Sequence, residues 1–277
     1  MIDENSCTVA AIAKNEGKYI VEWIAHNIVI GFDKIIIYSN ETADNMFEIV
    51  EKISRSDDRV QIIDWPSIPE TSPQVTAYTD ALRRVRTEWI SFVDIDEFIV
   101  PYVDKSLKKF LSRVPNDVSS VHLNWRNFGS GGMQEPNYDL VTRAFTKCAQ
   151  PFWSNHHHFK TIARAKLALD AHIHDIGTVS GHRVLSDLRP FGMDIRGVSD
   201  RICHENILIN HYQSKTYIEF RERMMRGDAN YSSHQVRVHS IERFEALDRN
   251  EESDTKILEF SDLLDSEYLR LKQIISA

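Results

Sequence analysis

The sequence has little of what marks secreted, membrane-spanning and disulfide-rich proteins. Its three cysteines, Cys7, Cys148 and Cys203, are odd in number and far apart, which argues against a disulfide framework and a four-cysteine zinc site. Apolar runs such as residues 35–38 are much shorter than the ~20 residues that span a bilayer. The N-terminus is polar and acidic, unlike a signal peptide. We therefore expect no transmembrane segment and a cytoplasmic location, with peripheral association at the inner membrane as a further option.

Three common motifs and an excess of positive charge are also missing. The sequence contains no GxGxxG, no GxxxxGK(S/T) and no GxSxG, so the usual dinucleotide-binding, P-loop and serine-hydrolase classes lose their main support. The chain has 33 basic and 41 acidic residues, which gives a net charge of −8. Because proteins that bind nucleic acid normally carry excess positive charge, we expect no nucleic-acid partner. A local basic pocket for a small phosphorylated ligand is compatible with this balance.

The composition is typical of a globular protein with a sizeable core. Of the 277 residues, 42% are hydrophobic and 27% are charged. We expect one domain over residues 1–239, made of a nucleotide-binding half (1–105) and an acceptor half (106–239). A helical C-terminal tail is expected over residues 240–277.

Short apolar strands alternate with amphipathic helices in the first half. The pattern predicts strands at 8–13, 34–38, 60–64 and 89–93, and helices at 20–28, 46–53 and 74–85. This alternation predicts an α/β fold with a wound, mostly parallel sheet, in which ligands bind beyond the carboxyl ends of the strands. The second half is less regular, with strands predicted at 118–125, 156–164 and 207–211 and no clear period over 170–201. A helix is predicted at 215–226, capped by Ser214 and stopped by Gly227.

The strongest candidate site is Asp94-Ile95-Asp96-Glu97, directly after the fourth predicted strand. Alternation along the chain places Asp94 and Asp96 on the same side. Neighbouring carboxylates repel unless a cation lies between them, and Mg²⁺ and Mn²⁺ prefer oxygen ligands that they share with substrate phosphates. A solvated acidic strand end is the ordinary alternative, but acids at the mouth of a buried strand are costly without a partner. We therefore expect Mn²⁺ or Mg²⁺ here.

Two further groups of polar residues could take part in a site. Lys14-Asn15-Glu16 follows the first predicted strand and could hold a nucleotide base or phosphate, although it also suits a capped helix start. The second half is rich in histidine, and most of these imidazoles are expected to be structural. His211 stands out because it ends a predicted strand and could complete a carboxylate–imidazole metal site. His172-Ile173-His174-Asp175 keeps a zinc hydrolase open as an alternative, although no HExxH motif is present.

Several blocks occur in a distinctive order between residues 8 and 228. They are Lys14-Asn15-Glu16, Glu22-Trp23-Ile24 with His26, Gly31-Phe32-Asp33, Gln74 with Ala77 and Tyr78, Trp89 with Phe92-Val93-Asp94-Ile95-Asp96-Glu97-Phe98, the segment 124–132, Lys160 with Arg164, one of His172 or His174, and Asn210-His211-Tyr212 with Lys215, Phe220 and Arg226-Gly227. In this order they resemble glycosyltransferase family 92 and its family 2-like relatives. One departure is Tyr38-Ser39-Asn40, where the family pattern has Tyr-Asp-Asn.

The resemblance implies a GT-A fold, a UDP-sugar donor, a divalent cation and inversion at the anomeric carbon. By analogy, Asp94 would face the donor ribose or the metal, Asp96 would ligate the metal, and His211 would be a third ligand. The remaining donor-side residues that the resemblance implies are Lys14, Glu16 and Asn40 in the uridine pocket, Gln74 before the acidic strand end, and Lys160 or Arg164 against the diphosphate.

The sequence does not single out the catalytic base. An acceptor hydroxyl has a high pKa, so inversion needs a carboxylate or an imidazole on the opposite face of the sugar. Glu135, Asp175 and His174 are the candidates, because all three lie in the acceptor half.

The sequence thus favours an inverting, metal-dependent hexosyltransferase. We expect a UDP-sugar donor, with galactose favoured, and a glycan or glycolipid acceptor in bacterial surface polysaccharide synthesis. The alternatives are a zinc hydrolase that uses the histidine-rich half and a non-catalytic sugar- or nucleotide-binding module. The tail could pack on the domain, form a homodimer or contact a membrane-bound acceptor, and its acidic residues disfavour the last.

Overall fold

The computed structural model describes residues 4–226 and 241–277. The strands of this part are β1 (Cys7–Ala13), β2 (Lys34–Ser39), β3 (Val60–Asp64), β4 (Trp89–Phe92), β5 (Glu97–Val100), β6 (Val118–Asn127), β7 (Lys147–Cys148), β8 (Phe159–Arg164), β9 (Ala168–Ala171), β10 (Ile176–Thr178), β11 (His182–Leu185), β12 (Leu208–His211) and β13 (Glu252–Ser253). The helices are α1 (Ile20–Ile30), α2 (Met46–Ser56), α3 (Pro73–Arg84), α4 (Leu107–Leu111), α5 (Val141–Ala144), α6 (Tyr217–Arg226), α7 (Ile241–Leu247) and α8 (Ser261–Ser276).

The main sheet is mixed, and its strand order is β3-β2-β1-β4-β8-β6-β12-β5, with β11 paired to β6. The first four strands of this order run parallel. Strand β8 is antiparallel to both β4 and β6, whereas β12 runs parallel to β6 and antiparallel to β5. The predicted α/β class with a wound sheet is confirmed, and the sheet is mixed because β8 and β5 run against their neighbours.

Local sequence signals explain where the helices of the first half begin and end. Helix α1 stops at Gly31, which adopts a left-handed φ of 113° that costs a glycine little. Helix α3 begins after Ser72, whose Oγ accepts a hydrogen bond from the Val75 amide, with Pro73 at the first helical position. These signals agree with the helices that the sequence predicts.

The structure departs from the sequence prediction in three places. Glu97 of the acidic motif and the three residues after it form β5, because they pair with β12, from Glu97 opposite His211 to Val100 opposite Leu208. The aperiodic stretch 170–201 contains β10, β11 and long loops. Helix α6 is capped by Thr216, which exchanges hydrogen bonds with Glu219, rather than by Ser214. The predicted stop of this helix at Gly227 lies outside the described residues.

The C-terminal tail packs on the domain. Helix α8 lies against α1 and α2, and its Leu264 and Leu271 are buried in the main core. The prediction of a helix throughout the tail is wrong for residues 252–260, because β13 pairs with β7 and a 3₁₀ turn follows it. The predicted boundary between 239 and 240 lies outside the described residues. None of the helices in the described part is long and apolar enough to cross a membrane.

Asp57 connects the end of α2 to the tail. Its carboxylate accepts hydrogen bonds from Arg59 and from Arg270 of α8. These guanidinium groups, with Arg59 contributing most, hold the pKa of Asp57 well below its usual range. The carboxylate is therefore ionised at neutral pH, and it stabilises the docking of α8 through charge-assisted hydrogen bonds.

We expect Asp57→Ala to lower the free energy of unfolding by about 1 kcal/mol, because the hydrogen bonds from Arg59 and Arg270 to this carboxylate are lost while both partly exposed arginines keep Glu267. Asp58→Ala is the matched control, because the neighbouring Asp58 side chain is 95% exposed and pairs only with Lys34 among the described residues. Urea unfolding at pH 7.5 measures both variants. Equal stability of the two variants would contradict a role for Asp57 in holding the tail.

Candidate active site

Strand direction gathers the predicted site residues at one edge of the sheet. Strands β1, β2, β4, β6 and β12 end at this edge, whereas β5 and β8 begin there. The acidic motif follows β4, Lys160 is the second residue of β8, and His211 is the last residue of β12. The edge therefore brings carboxylates, an amine and an imidazole together, as expected for a site beyond the carboxyl ends of parallel strands.

Asp94 is held by three donors on neighbouring elements. Its Oδ1 accepts hydrogen bonds from Gln74 Nε2 at 3.0 Å and from the Tyr78 hydroxyl at 3.2 Å, both on α3. Its Oδ2 accepts from Lys160 Nζ at 2.9 Å. The Asp94 side chain is still 31% exposed, so a ligand can reach it. The structure thus brings three of the predicted donor-binding residues into one hydrogen-bonded group.

Lys160 also lies against a second acidic side chain, that of the fully buried Glu97. Its Nζ lies 3.5 Å from Glu97 Oε2 and donates to the Ile173 carbonyl oxygen at 3.0 Å. Burial raises the pKa of Glu97, and the carboxylates of Asp94 and Asp96 raise it further against the opposing effect of Lys160. Burial by itself would lower the pKa of Lys160, but Asp94 and Glu97 outweigh it and raise that pKa. Lys160 therefore stays charged beneath the acidic motif.

Asp96 is buried on the other side of the motif and has a cation of its own. Its Oδ2 lies 2.7 Å from Arg223 Nη1 of α6 and 3.7 Å from His211 Nε2. Burial opposes ionisation, but Arg223 and His211 hold the pKa of Asp96 well below its usual range. The sequence analysis missed Arg223, because it lies far along the chain from Asp96 and no short motif contains both.

An aromatic cluster lines the site beside His211. The Trp125 ring centroid lies 4.3 Å from that of His211, 5.0 Å from that of His158 and 5.1 Å from that of His174. The structure brings His174 to the site, because the Ile173 carbonyl next to it accepts the hydrogen bond from Lys160. Burial, followed by the nearby charge of Lys160, lowers the pKa of His174 to about 2, so this imidazole is neutral.

The predicted uridine-pocket residues lie at the ends of β1 and β2. Lys14 pairs with Glu41 at 3.3 Å across the two loops. The Asn40 side chain is buried and donates to the Trp65 carbonyl oxygen at 2.9 Å and to Ser67 Oγ at 3.1 Å. Glu16 is also buried, and its carbonyl oxygen accepts the amides that begin α1. These three residues thus border one region of the active edge.

Three predicted site residues do not join this group. Arg164 ends β8 and pairs with Trp89, the first residue of β4, so it lies at the opposite edge of the sheet from Asp94. There it binds Glu88 at 2.9 Å. Asp175 is enclosed by Arg183 and by Arg196, whose Nε donates at 2.9 Å.

Because the Asp175 side chain is only 1% exposed and carries two arginines, it cannot reach an acceptor hydroxyl. Glu135 lies exposed in the loop between β6 and α5. Neither it nor Arg164 has a described contact with the acidic motif.

The residues present fit a divalent cation at Asp96. The buried Oδ2 atom of Asp96 faces Nε2 of the buried His211 imidazole, whose Nδ1 atom has no hydrogen-bond partner in the described part of the chain. A carboxylate and an imidazole 3.7 Å apart can share one cation, whose other positions go to phosphates and water. The described residues contain no cluster of three or more His, Cys, Asp or Glu side chains suited to a metal. Protein ligands alone therefore do not complete the site.

Three other histidines of the second half are bound to the backbone. His156 Nε2 accepts from the Asn127 amide, and its Nδ1 donates to the Pro151 carbonyl oxygen. His157 donates to the Ser199 carbonyl oxygen and His204 to the Trp125 carbonyl oxygen. These three imidazoles hold loops in place, and the described residues around His172-Ile173-His174-Asp175 form no cluster of three His, Cys, Asp or Glu side chains that could hold zinc.

Comparison with known proteins identifies one family. The model of Glycosyltransferase family 92 matches residues 7–245. A family 92 protein of Ricinus communis is 24% identical over 228 residues, which cover 80% of this chain and 38% of that protein. A family 92 protein of Arabidopsis thaliana is 23% identical over 236 residues, again 80% of this chain and 38% of the relative. The chain thus spans a little over a third of the length of these plant relatives.

Solved structures of glycosyltransferases are more distantly similar. Residues 1–349 of Staphylococcus aureus TarS are 18% identical with a TM-score of 0.39, covering 58% of this chain and 48% of that one. The mannosyltransferase PcManGT of Pyrobaculum calidifontis, solved with GDP-Man and Mn²⁺, is 13% identical with a TM-score of 0.38 and covers 69% and 49%. At these scores the family assignment rests on the sequence match.

Proposed function

Because the chain belongs to glycosyltransferase family 92, we propose that it is an inverting, metal-dependent glycosyltransferase. The donor is a UDP-hexose, with UDP-galactose favoured, and the acceptor is a hydroxyl group of a glycan or glycolipid. The observation that carries this proposal is the pairing of Asp96 with His211 beside Asp94 at the active edge of the sheet.

The acidic motif divides the work between two carboxylates. Asp94 is exposed enough to accept hydrogen bonds from the ribose hydroxyls of the donor, while Gln74, Tyr78 and Lys160 hold it in place. Asp96 and His211 would hold Mn²⁺ or Mg²⁺. When bound, the cation supplies Lewis-acid stabilisation of the charge that develops on the departing diphosphate.

The uridine would lie against the loops after β1 and β2. Lys14, Glu16 and Asn40 border that region, and the hydrogen bonds of Asn40 to Trp65 and Ser67 hold its side chain rigid. Lys160 is the buried cation nearest to Asp94, and it offsets the charge of the acidic motif. Arg164 is left out of this proposed donor site because it lies at the other edge of the sheet.

His174 is our candidate for the catalytic base. It is neutral, and it stands beside Trp125 and next to the residue that binds Lys160. Its low pKa makes it a weak base in the free protein, so the case for His174 rests on its position beside the site and not on its basicity. The enclosure of Asp175 by two arginines and the distal loop position of Glu135 favour His174 over both.

We expect His174→Ala to keep donor binding and to lower the transfer rate about 10²–10⁴-fold, the usual contribution of a general base. Glu135→Ala is the control, and we expect transfer close to that of the unchanged protein. Titration of UDP with Mn²⁺ separates binding from turnover. Loss of UDP affinity in His174→Ala would show that His174 belongs to the donor site instead.

The proposed biological setting comes from the sequence alone. A cytoplasmic enzyme of bacterial surface polysaccharide synthesis, peripheral at the inner membrane, is the setting that the sequence suggests. The relatives described above are plant proteins, so they do not support the bacterial setting. A homodimer through the C-terminal helices would need the exposed face of α8, which includes Leu263 and Leu269, because the other face packs on α1 and α2.

Calorimetric titration of UDP into the protein, with and without Mn²⁺, tests the proposal. We expect binding that requires the cation and that is lost in Asp96→Asn. A screen of UDP-sugars, led by UDP-galactose, then identifies the donor by the release of UDP. Binding of UDP with equal affinity in the presence of Mn²⁺ and of EDTA would contradict a metal-dependent transferase.

A further inference from the structure

The carboxylate proposed to bind the metal already has a cation. Arg223 Nη1 lies 2.7 Å from Asp96 Oδ2, and the Arg223 side chain is 35% exposed. The same oxygen lies 3.7 Å from His211 Nε2. The arginine therefore approaches the atom that a divalent cation between Asp96 and His211 would use.

Two cations cannot both remain at this oxygen. A magnesium or manganese ion lies about 2 Å from its carboxylate ligand, which would place it within a few ångströms of the guanidinium. At that distance like charges repel strongly, and the repulsion is greater at a buried carboxylate than in water. Binding of the metal thus requires Arg223 to leave Asp96.

A nucleoside diphosphate offers Arg223 a new partner. Guanidinium groups pair with phosphate oxygens in bidentate geometry, and such pairs are stronger than ordinary hydrogen bonds. The start of α6 is anchored by Glu219, which accepts from Lys18, Tyr19 and Tyr138. Arg223 lies one turn further along the helix, where its Nη1 atom also donates to the Gln213 carbonyl oxygen at 3.2 Å. Its side chain is 35% exposed, so the guanidinium can turn toward a phosphate while the helix start stays fixed.

We propose that Arg223 is an exchangeable counter-ion of the metal site. It neutralises Asp96 in the nucleotide-free protein and yields this carboxylate to the cation when the diphosphate of the donor arrives to bind the guanidinium. Metal and nucleotide therefore bind with positive coupling, each raising the affinity for the other. This inference rests on the proposed function, because it requires that Asp96 binds the cation.

Titration of Mn²⁺ followed by electron paramagnetic resonance tests the inference without turnover. The unchanged protein should bind Mn²⁺ weakly alone and more tightly in the presence of UDP. In Arg223→Gln, the affinity for Mn²⁺ alone should rise about tenfold, the effect of removing a partly buried competing charge, and the gain from UDP should shrink. Arg221→Gln is the matched control, because it removes the same charge from an exposed position of the same helix.

The outcomes separate this inference from the proposed function. If Arg223→Gln and Arg223→Ala bind Mn²⁺ no more tightly than Arg221→Gln, whereas Asp96→Asn loses Mn²⁺, the metal site stands and the exchange of Arg223 is wrong. If Asp96→Asn binds Mn²⁺ as well as the unchanged protein, the proposed metal site itself is wrong. Arg223→Lys keeps a cation and should resemble the unchanged protein, and tighter Mn²⁺ binding in that variant would also overturn the inference.

Discussion

Asp96→Asn is expected to lower the transfer rate at least about 10²–10³-fold, the scale for removing one electrostatic contact to the departing group. The change keeps the size of the side chain and removes the charge that faces His211 and Arg223. An amide is a poor ligand for a divalent cation compared with a carboxylate. We therefore expect the Mn²⁺-dependent binding of UDP to be lost at the same time.

The fold should survive this change, because the partner that loses its carboxylate can reach solvent. Arg223 is 35% exposed, so its charge is not trapped in the core. Asp104→Asn is the matched control. Asp104 lies in the loop that precedes α4, and its carboxylate also pairs with an arginine, Arg113, which follows that helix. A full transfer rate in Asp96→Asn, with the far-ultraviolet circular dichroism of both variants unchanged, would rule out the metal assignment.

The parts of the fold that the sequence predicts are those with local causes. Strands β1 and β2 are short runs of buried apolar residues, and Gly31 ends α1 through a φ that other residues rarely adopt. Because the helices between parallel strands set the direction of each strand, the sequence also predicts that the polar ends of β1, β2 and β4 share an edge. The sheet confirms this expectation for Asp94.

The parts that the sequence could not predict depend on contacts between distant segments. Strand β5 forms because its residues meet β12, more than a hundred positions later, and its own four residues give no clear signal. Arg164 resembled a donor residue in sequence, but β8 runs antiparallel to β4, which carries its last residue to the far edge. The pairing of Asp96 with Arg223 likewise follows only from the position of α6.

Four histidines of the core should make the protein sensitive to mild acid. Burial lowers the pKa of His26 to about 4, of His156 to about 3 and of His204 to about 4, and it lowers the pKa of His122 well below its usual value. Each is neutral in the folded protein near pH 5.5, whereas an unfolded histidine has a pKa of about 6.5. The unfolded chain therefore binds more protons, and stability falls as the pH drops below about 6.5.

Two buried glutamates act in the opposite direction. Burial raises the pKa of Glu22 and of Glu97, so the folded protein can hold protons there that the unfolded chain releases. With His174 the histidines number five, so they outnumber these two glutamates by three, and each net proton contributes about 1.4 kcal/mol per pH unit. We expect the free energy of unfolding to fall by about 4 kcal/mol per pH unit between pH 6 and pH 5. This loss is large compared with the ~5–15 kcal/mol by which domains are stable.

His26→Gln isolates one proton of this effect. The Nε2 atom of His26 donates to the Ile99 carbonyl oxygen at 2.7 Å, and a glutamine amide can make the same hydrogen bond without titrating. The slope of stability against pH, from urea unfolding at pH 7.5, 6.5, 6.0 and 5.5, should therefore fall by about 1.4 kcal/mol per pH unit in this variant. His182→Gln is the control, because the His182 side chain is 69% exposed and this substitution should leave the slope unchanged.

A slope in His26→Gln equal to that of His182→Gln would mean that the folded core takes up the proton as readily as the unfolded chain. Acid sensitivity would then have to come from carboxylates that lose their partners, such as Asp57, and it would begin below about pH 5 rather than at pH 6.5.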